Sequence, residues 1–245
     1  MKISFVIPAR NEEKSIGQVI DSILKQSEPD LIEEIIVVDN GSTDQTGKVA
    51  QSHGQKVTVV YQPKPGIAVA RYTGFETAKG EIIATLDADT LLPTTWAERV
   101  VKYFSDNEDI AAVGGPYIYY DLKRSLYLFS YIYMLFGMLP LHLILNHLGL
   151  GGIMIGGNGA FRREYLEELK DYPQDIESFG EDVYMVKHLR RRGKILHSMR
   201  LAAKSASRRL NQGGAFKIMG LYYFNFVSVT FTGKPFKYSK FLSKY

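Results

Sequence analysis

The chain has no cysteine. Thiol nucleophiles, disulfide staples and thiolate metal sites are therefore excluded, and the composition fits a reducing compartment. Tryptophan occurs once, at Trp96. There is no Walker sequence, no internal repeat and no low-complexity linker, and the glycines of 149–159 lack dinucleotide-fingerprint spacing. Those glycines instead suit a backbone that turns sharply or approaches a ligand closely. Acid is missing from the end of the chain: residues 190–245 hold thirteen Lys and Arg and no Asp or Glu, while the first 189 residues balance at −9. Such segregation points to an acidic partner, and nucleic acid, an anionic lipid surface and a phosphorylated substrate all qualify, as does a plain solvated basic face.

Charge is also missing, histidine apart, between Arg124 and Arg162. Within that gap, residues 126–145 match the length of a membrane span, about 20 residues. Gly137 and Pro140 divide the segment into pieces too short to cross. A single pass would also part the acidic motifs before and after it. The expectation is a helix lying in the membrane interface, with a buried core helix as the alternative. Met1 and Lys2 lead straight into Ile3-Ser4-Phe5-Val6-Ile7, too short for the apolar part of a signal peptide. The N-terminus is expected to stay in the cytosol, with the protein peripheral or monotopic at that face.

What is present reads as strand and helix in alternation. Residues 3–7 form a buried strand, and Ile16, Val19, Ile20, Ile23 and Leu24 follow at helical spacing. Glu34-Ile35-Ile36-Val37-Val38-Asp39 repeats the pattern, and Ser42 with Gln45 reads as a capping box that starts a second helix there. A third strand, 57–61, precedes an Ala-rich helix carrying Arg71. The fourth strand runs through Leu86 into Asp87 and Asp89, whose period of two places both carboxylates on one strand face. An Asp-rich turn after a strand has the same composition. Pro93 marks a helix running to Phe104, residues 110–115 a short apolar strand, 181–189 a helix closed by Arg190-Arg191-Arg192-Gly193, and 194–197 a last strand. The alternation implies an α/β chain with a mostly parallel, Rossmann-like sheet flanked by helices.

Acidic residues recur where strands end or helices open: Glu12, Asp39, the pair Asp87 and Asp89, and the pair Glu181 and Asp182. Loops after parallel strands emerge on one edge, so the first three converge there. Hard oxygen donors in that place suit Mg²⁺ or Mn²⁺ across a diphosphate. A nucleotide-sugar also needs a carboxylate for its ribose. Glu181 and Asp182 open a helix, where the dipole favours acid without any functional role.

Phe5-Val6-Ile7-Pro8-Ala9-Arg10-Asn11-Glu12, Val38-Asp39-Asn40-Gly41-Ser42-Thr43-Asp44, Leu86-Asp87-Ala88-Asp89 and Gly180-Glu181-Asp182 together resemble the family 2 inverting glycosyltransferases of GT-A fold, to about residue 193. The resemblance implies a nucleotide-sugar donor and a divalent metal. It implies that Pro8, Ala9 and Glu12 lie at the nucleoside pocket, that Asp39 and Arg71 contact the base, that Asp87 contacts ribose or diphosphate, and that Asp89 holds the metal. Asp182 takes the general-base position, with Glu181 beside it; for a phosphate acceptor no base is needed and Asp182 only orients.

Tyr72 stands where the family often has Asn, and the tryptophan-containing motif of processive members is absent, Ser207-Arg208-Arg209-Leu210 being at best a remnant. Transfer of one sugar per encounter is therefore expected. Arg208 and Arg209 either neutralise the diphosphate or form a basic surface. A single domain over 1–245 is expected, with donor binding in 1–115, an apolar acceptor-facing segment in 116–160, the acceptor and base part in 161–233 and a basic, aromatic tail in 234–245. A lipid-linked or membrane-proximal acceptor and an anionic membrane surface are the expected partners, with no nucleic acid. The rivals are a non-catalytic binder or membrane scaffold of the same fold and a nucleotidyltransferase.

Overall fold

The computed structural model describes residues 1–122, 126, 128, 132, 134–149, 152–170 and 181–232. Gly180 and the tail 234–245, both singled out in the sequence, lie outside them.

Among the described residues, ten strands form two sheets. β1 (Ile3–Ala9), β2 (Ile32–Asp39), β3 (Val57–Tyr61), β4 (Ile82–Leu86), β6 (Ile110–Gly114), β8 (Asn158–Arg162) and β9 (Lys194–His197) make the large one, in the order β3-β2-β1-β4-β8-β6-β9. β1 to β4 pair in parallel and β6 runs parallel to β9, but β8 is antiparallel to both β4 and β6. The small sheet pairs β5 (Thr90–Leu91), β10 (Ala203–Ser205) and β7 (Tyr117–Tyr119).

Alternation along β1 explains the layers. Ile3, Phe5 and Ile7 face one side, where α1 (Ile16–Leu24) supplies Ile16, Val19, Ile20 and Ile23 and α4 (Trp96–Asp106) supplies Trp96, Val100 and Phe104. Val6 faces the other with Ile36, Val38 and Ile83, against Ala68, Ala70 and Phe75 of α3 (Ile67–Thr77) and Met185, Val186 and Leu189 of α6 (Glu181–Leu189). Strands buried on both faces read as continuous apolar runs, as β1 and β2 do.

Two expectations change. The helix after β2, α2, spans Thr46–Gln51 and starts later than a capping box at Ser42 requires. The Ser42 hydroxyl is used elsewhere, accepting from the Asn11 amide at 3.0 Å, while Asp44 Oδ1 accepts from the Thr46 amide at 2.9 Å. Secondly, β4 ends at Leu86, so Asp87 and Asp89 lie in the turn before β5 and owe their proximity to the turn, not to strand periodicity. The end of the glycine-rich stretch is β8, in the middle of the large sheet. β8 and β9, from the later part of the chain, pair with β4 and β6 of the first 115 residues.

Within the apolar segment, Met134–Met138 form a π-helical turn that runs into α5 (Leu139–His147), with Pro140 in its first turn, where a missing N–H is harmless. Among the described residues no helix is long and apolar enough to cross a membrane.

Asn158 ties the two sheets together. It is fully buried, takes the Trp96 Nε1 hydrogen at 3.0 Å, and donates through Nδ2 to Leu201 O at 2.9 Å and Pro116 O at 3.2 Å. Leaving its Oδ1 unpaired in the core carries a desolvation penalty of about 1–3 kcal/mol. Trp96→Phe should therefore lower unfolding free energy by at least about that amount, since the smaller ring also leaves a cavity, read by far-ultraviolet circular dichroism in urea; a change within about 0.5 kcal/mol, the spread of substitutions that touch no such feature, contradicts the role given to this bond.

Candidate active site

β1, β2 and β4 end at the same edge of the sheet, and Glu12, Asp39, Asp87 and Asp89 follow from their ends. Two arginines organise these acids. Arg71, from α3, is buried; its Nη2 donates to Asp87 Oδ1 at 2.7 Å and its Nη1 pairs with Glu181 at the opening of α6. Asp87 Oδ2 also accepts from the Tyr117 hydroxyl at 2.9 Å. Burial, then the Asp87 charge, pushes the Tyr117 hydroxyl well above the usual phenol range, so it stays a donor. With its guanidinium between the two carboxylates, Arg71 holds Asp87 and Glu181 together.

The second arginine comes from α7 (Arg208–Gly213). β10 pairs antiparallel with β5, Ser205 opposite Thr90, so the chain leaving β10 passes back over Asp89. Arg208 Nη2 there donates to Asp89 Oδ2 at 3.1 Å and to Glu12 Oε1 at 2.6 Å. Glu12 Oε2 is fixed by the Ser15 hydroxyl at 2.6 Å. Burial, followed by the charge of Asp87, pushes the Asp89 carboxyl up to about 6, although Arg208 works against the shift.

Small residues let these groups meet. A Cβ on Gly157 would strike the Tyr117 hydroxyl and the Asp87 carboxylate, and one on Gly156 would strike the Arg71 guanidinium. This is the close approach that the glycines of 149–159 suggested, and what approaches is the protein's own acid–arginine network. Asp182 lies beside Gly156, its Oδ1 accepting from the Val183 amide at 2.8 Å. Burial and the neighbouring Glu181 charge push its carboxyl up to about 7, against the pull of Arg71.

The other expected positions are simply placed. Asp39 closes the loop after β2, its Oδ1 accepting from the Ser42 amide at 2.8 Å, and Pro8 is half-buried near the end of β1. The methyl group of Ala9 is in the core. Asn40 is structural, donating to Gln62 O and Lys64 O and accepting from the Gly66 amide, which fixes the loop before α3. Tyr117 and Asn158 were not singled out in the sequence; no local motif marks either, since both act through contacts with distant segments.

Among the described residues no three His, Asp or Glu side chains converge as a closed metal site. The donor set nevertheless fits a hard divalent cation, because carboxylate oxygens of Glu12 and Asp89 reach one nitrogen that carries positive charge. Sites that leave most of the shell to phosphate and water are the habit of Mg²⁺.

The model of "Glycosyl transferase family 2" matches residues 4–170. The chain belongs to glycosyltransferase family 2. Among curated relatives, 4,4'-diaponeurosporenoate glycosyltransferase of Staphylococcus aureus is 41% identical over 107 residues, which are 42% of this chain and 28% of that protein. The chain spans less than half the length of the curated relatives it matches. Two solved GT-A structures resemble the family 2 fold seen here. Mannosyltransferase PcManGT from Pyrobaculum calidifontis, in complex with GDP-Man and Mn²⁺, gives TM-score 0.66 at 23% identity, over 99% of this chain and 68% of that one. Glucosyl-3-phosphoglycerate synthase from Mycobacterium tuberculosis, in complex with Mn²⁺, UDP-Glc and glycerol 3-phosphate, gives 0.64 at 24% identity, over 96% and 81%. At these identities the likeness is one of fold.

The raised Asp89 carboxyl has a consequence for stability. Between its unfolded value near 3.8 and its folded value of about 6, the folded chain holds the extra proton, so stability falls as pH rises through that window. At pH 8 the ionised group is a net cost of about 1–3 kcal/mol, at 1.36 kcal/mol per unit. Metal-free Asp89→Asn should then unfold at higher urea than wild type at pH 8 and at the same urea near pH 4. Equal midpoints at pH 8 contradict the electrostatics described for the site.

Proposed function

We propose that this family 2 chain is a metal-dependent, inverting glycosyltransferase that moves one sugar at a time from a UDP- or GDP-sugar to a lipid-linked acceptor, such as a polyprenyl phosphate or glycolipid, at the cytosolic face of a membrane. The observation that carries the reading is the juxtaposition across Arg71: the turn bearing Asp87 and Asp89 on one side, the helix opened by Glu181 and Asp182 on the other.

On the donor side, Pro8, Ala9 and Glu12 flank the nucleoside, Asp39 faces the base and Asp87 the ribose or diphosphate. Asp89, with Glu12 close by, holds Mg²⁺ or Mn²⁺, which when bound neutralises the departing diphosphate as a Lewis acid. Mn²⁺ accompanies the nucleotide in both solved relatives named above, which supports a cation here. Arg71 is a positioning residue that acts through Asp87 and Glu181. In the transfer, the acceptor hydroxyl oxygen forms a bond to the anomeric carbon on the face opposite the diphosphate, the bond from that carbon to the diphosphate breaks, and the hydroxyl proton passes to Asp182. A base titrating near neutrality is matched to that task.

The lipid part rests on where apolar surface lies. Phe136, Leu143, Ile144 and Leu148 are exposed on the turn and helix of 134–148, as are Phe224 and Phe231 on α8 (Ala215–Thr232). Buried residues of the same elements, Leu145 and Phe226, pack with Val183, the residue after Asp182. Exposed apolar surface of this kind, continuous with a site and followed by a basic segment, suits a lipid interface.

With a hydroxyl acceptor, Asp182→Asn should lower kcat by a factor on the order of 10²–10⁴ while leaving donor KM near wild type, measured as nucleoside diphosphate release. The rising limb of the wild-type pH profile should lie near 7 and move to lower pH in Glu181→Gln, which removes the like charge. Unchanged kcat in Asp182→Asn removes the base assignment and leaves an orienting role, as for a phosphate acceptor. In flotation with anionic phosphatidylglycerol vesicles, wild type should rise with the lipid and Phe136→Asp/Leu143→Asp should not. Wild type that stays at the bottom removes the membrane part.

A further inference from the structure

We infer that Arg208 is an internal cation that fills the place between Glu12 and Asp89 until a divalent cation takes it, and that its displacement loosens the C-terminal helices packed behind it. The inference rests on the donor-site reading above and adds a competitor built into the chain.

One guanidinium nitrogen satisfies two carboxylates that stand 196 and 119 residues away in sequence. A divalent ion and a guanidinium cannot share that point, because the two cations repel and compete for the same carboxylate oxygens. Each therefore lowers the affinity of the other by the same factor. The pair is also cheap to exchange. The Arg208 side chain is 50% exposed, and half-exposed ion pairs contribute little to folding. The fold aims the side chain without burying it: the Ser207 amide donates to Asp121 Oδ1 at 2.7 Å, and β10 pairs with β5 just before it.

Behind Arg208 the contacts lead toward the acceptor side. Leu210 of α7 is buried with Ile218 and Met219 of α8. Further along α8, Phe226 packs in the cluster that includes Val183 of α6. Two packed clusters thus join α7 to the helix that carries Asp182.

The test is calorimetric titration of Mn²⁺ alone into the nucleotide-free protein. Arg208→Met should bind Mn²⁺ roughly tenfold more tightly than wild type, the scale of one charge-assisted hydrogen bond, with Arg208→Lys between them, and Asp89→Ala should lose the binding. If Asp89→Ala binds Mn²⁺ as wild type does, the donor-site reading falls and this inference with it. If Asp89→Ala loses Mn²⁺ but Arg208→Met binds it no more tightly than wild type, the competitor role alone is overturned. Amide hydrogen exchange reads the second half: saturating Mn²⁺ should speed exchange across residues 207–213 in wild type and leave Asp89→Ala unchanged. Slower or equal exchange in wild type overturns the loosening.

Discussion

The bridge that Arg71 makes between Asp87 and Glu181 is the contact on which the site depends. Its guanidinium is nearly inaccessible to water, so it must be paired, and it takes one acid from the turn after β4 and one from the start of α6. Breaking such a pair leaves an uncompensated buried charge, which costs far more than the pair contributes. The two halves of the edge, strand ends on one side and the later helix on the other, are thereby held in one geometry. The raised carboxyl of Asp182 follows from the same arrangement, since burial and then the Glu181 charge beside it push it up.

The small sheet does for the second arginine what α3 does for the first. β5, β7 and β10 are two or three residues long and could not stand alone, yet they bring Tyr117 onto Asp87 and Arg208 onto Asp89. Asn158 locks this arrangement to the core through Trp96, Pro116 and Leu201. Gly156 and Gly157 then leave the room that the network needs. The site is thus an edge of acids whose charge is partly offset internally by two arginines.

Much of this was legible in the amino-acid order. The strands of the parallel half declare themselves as apolar runs ending in acid, and topology alone carries Glu12, Asp39, Asp87 and Asp89 to one edge. The helix opened by Glu181 is equally plain from its apolar spacing. What was hidden depends on partners far along the chain. β8 is only five residues, two of them glycine or alanine, and carries no apolar run to mark it as a strand; β4 and β6 pair with it on either side. Arg208 sits in an ordinary basic stretch, and only the pairing of β10 with β5 gives it an address. The capping-box reading at Ser42 failed because Asn11, from another loop, uses that hydroxyl. The periodicity argument for Asp87 and Asp89 failed for a simpler reason: the strand had already ended.

The account stands or falls on whether this edge binds a nucleoside diphosphate through a cation. Calorimetric titration of UDP and GDP into wild type and Asp89→Ala, each with and without Mn²⁺, asks this directly. The account predicts that one of the two nucleotides binds wild type when Mn²⁺ is present, binds far more weakly without it, and fails to bind Asp89→Ala. Absence of binding under every condition, or binding indifferent to both Mn²⁺ and Asp89, would contradict it.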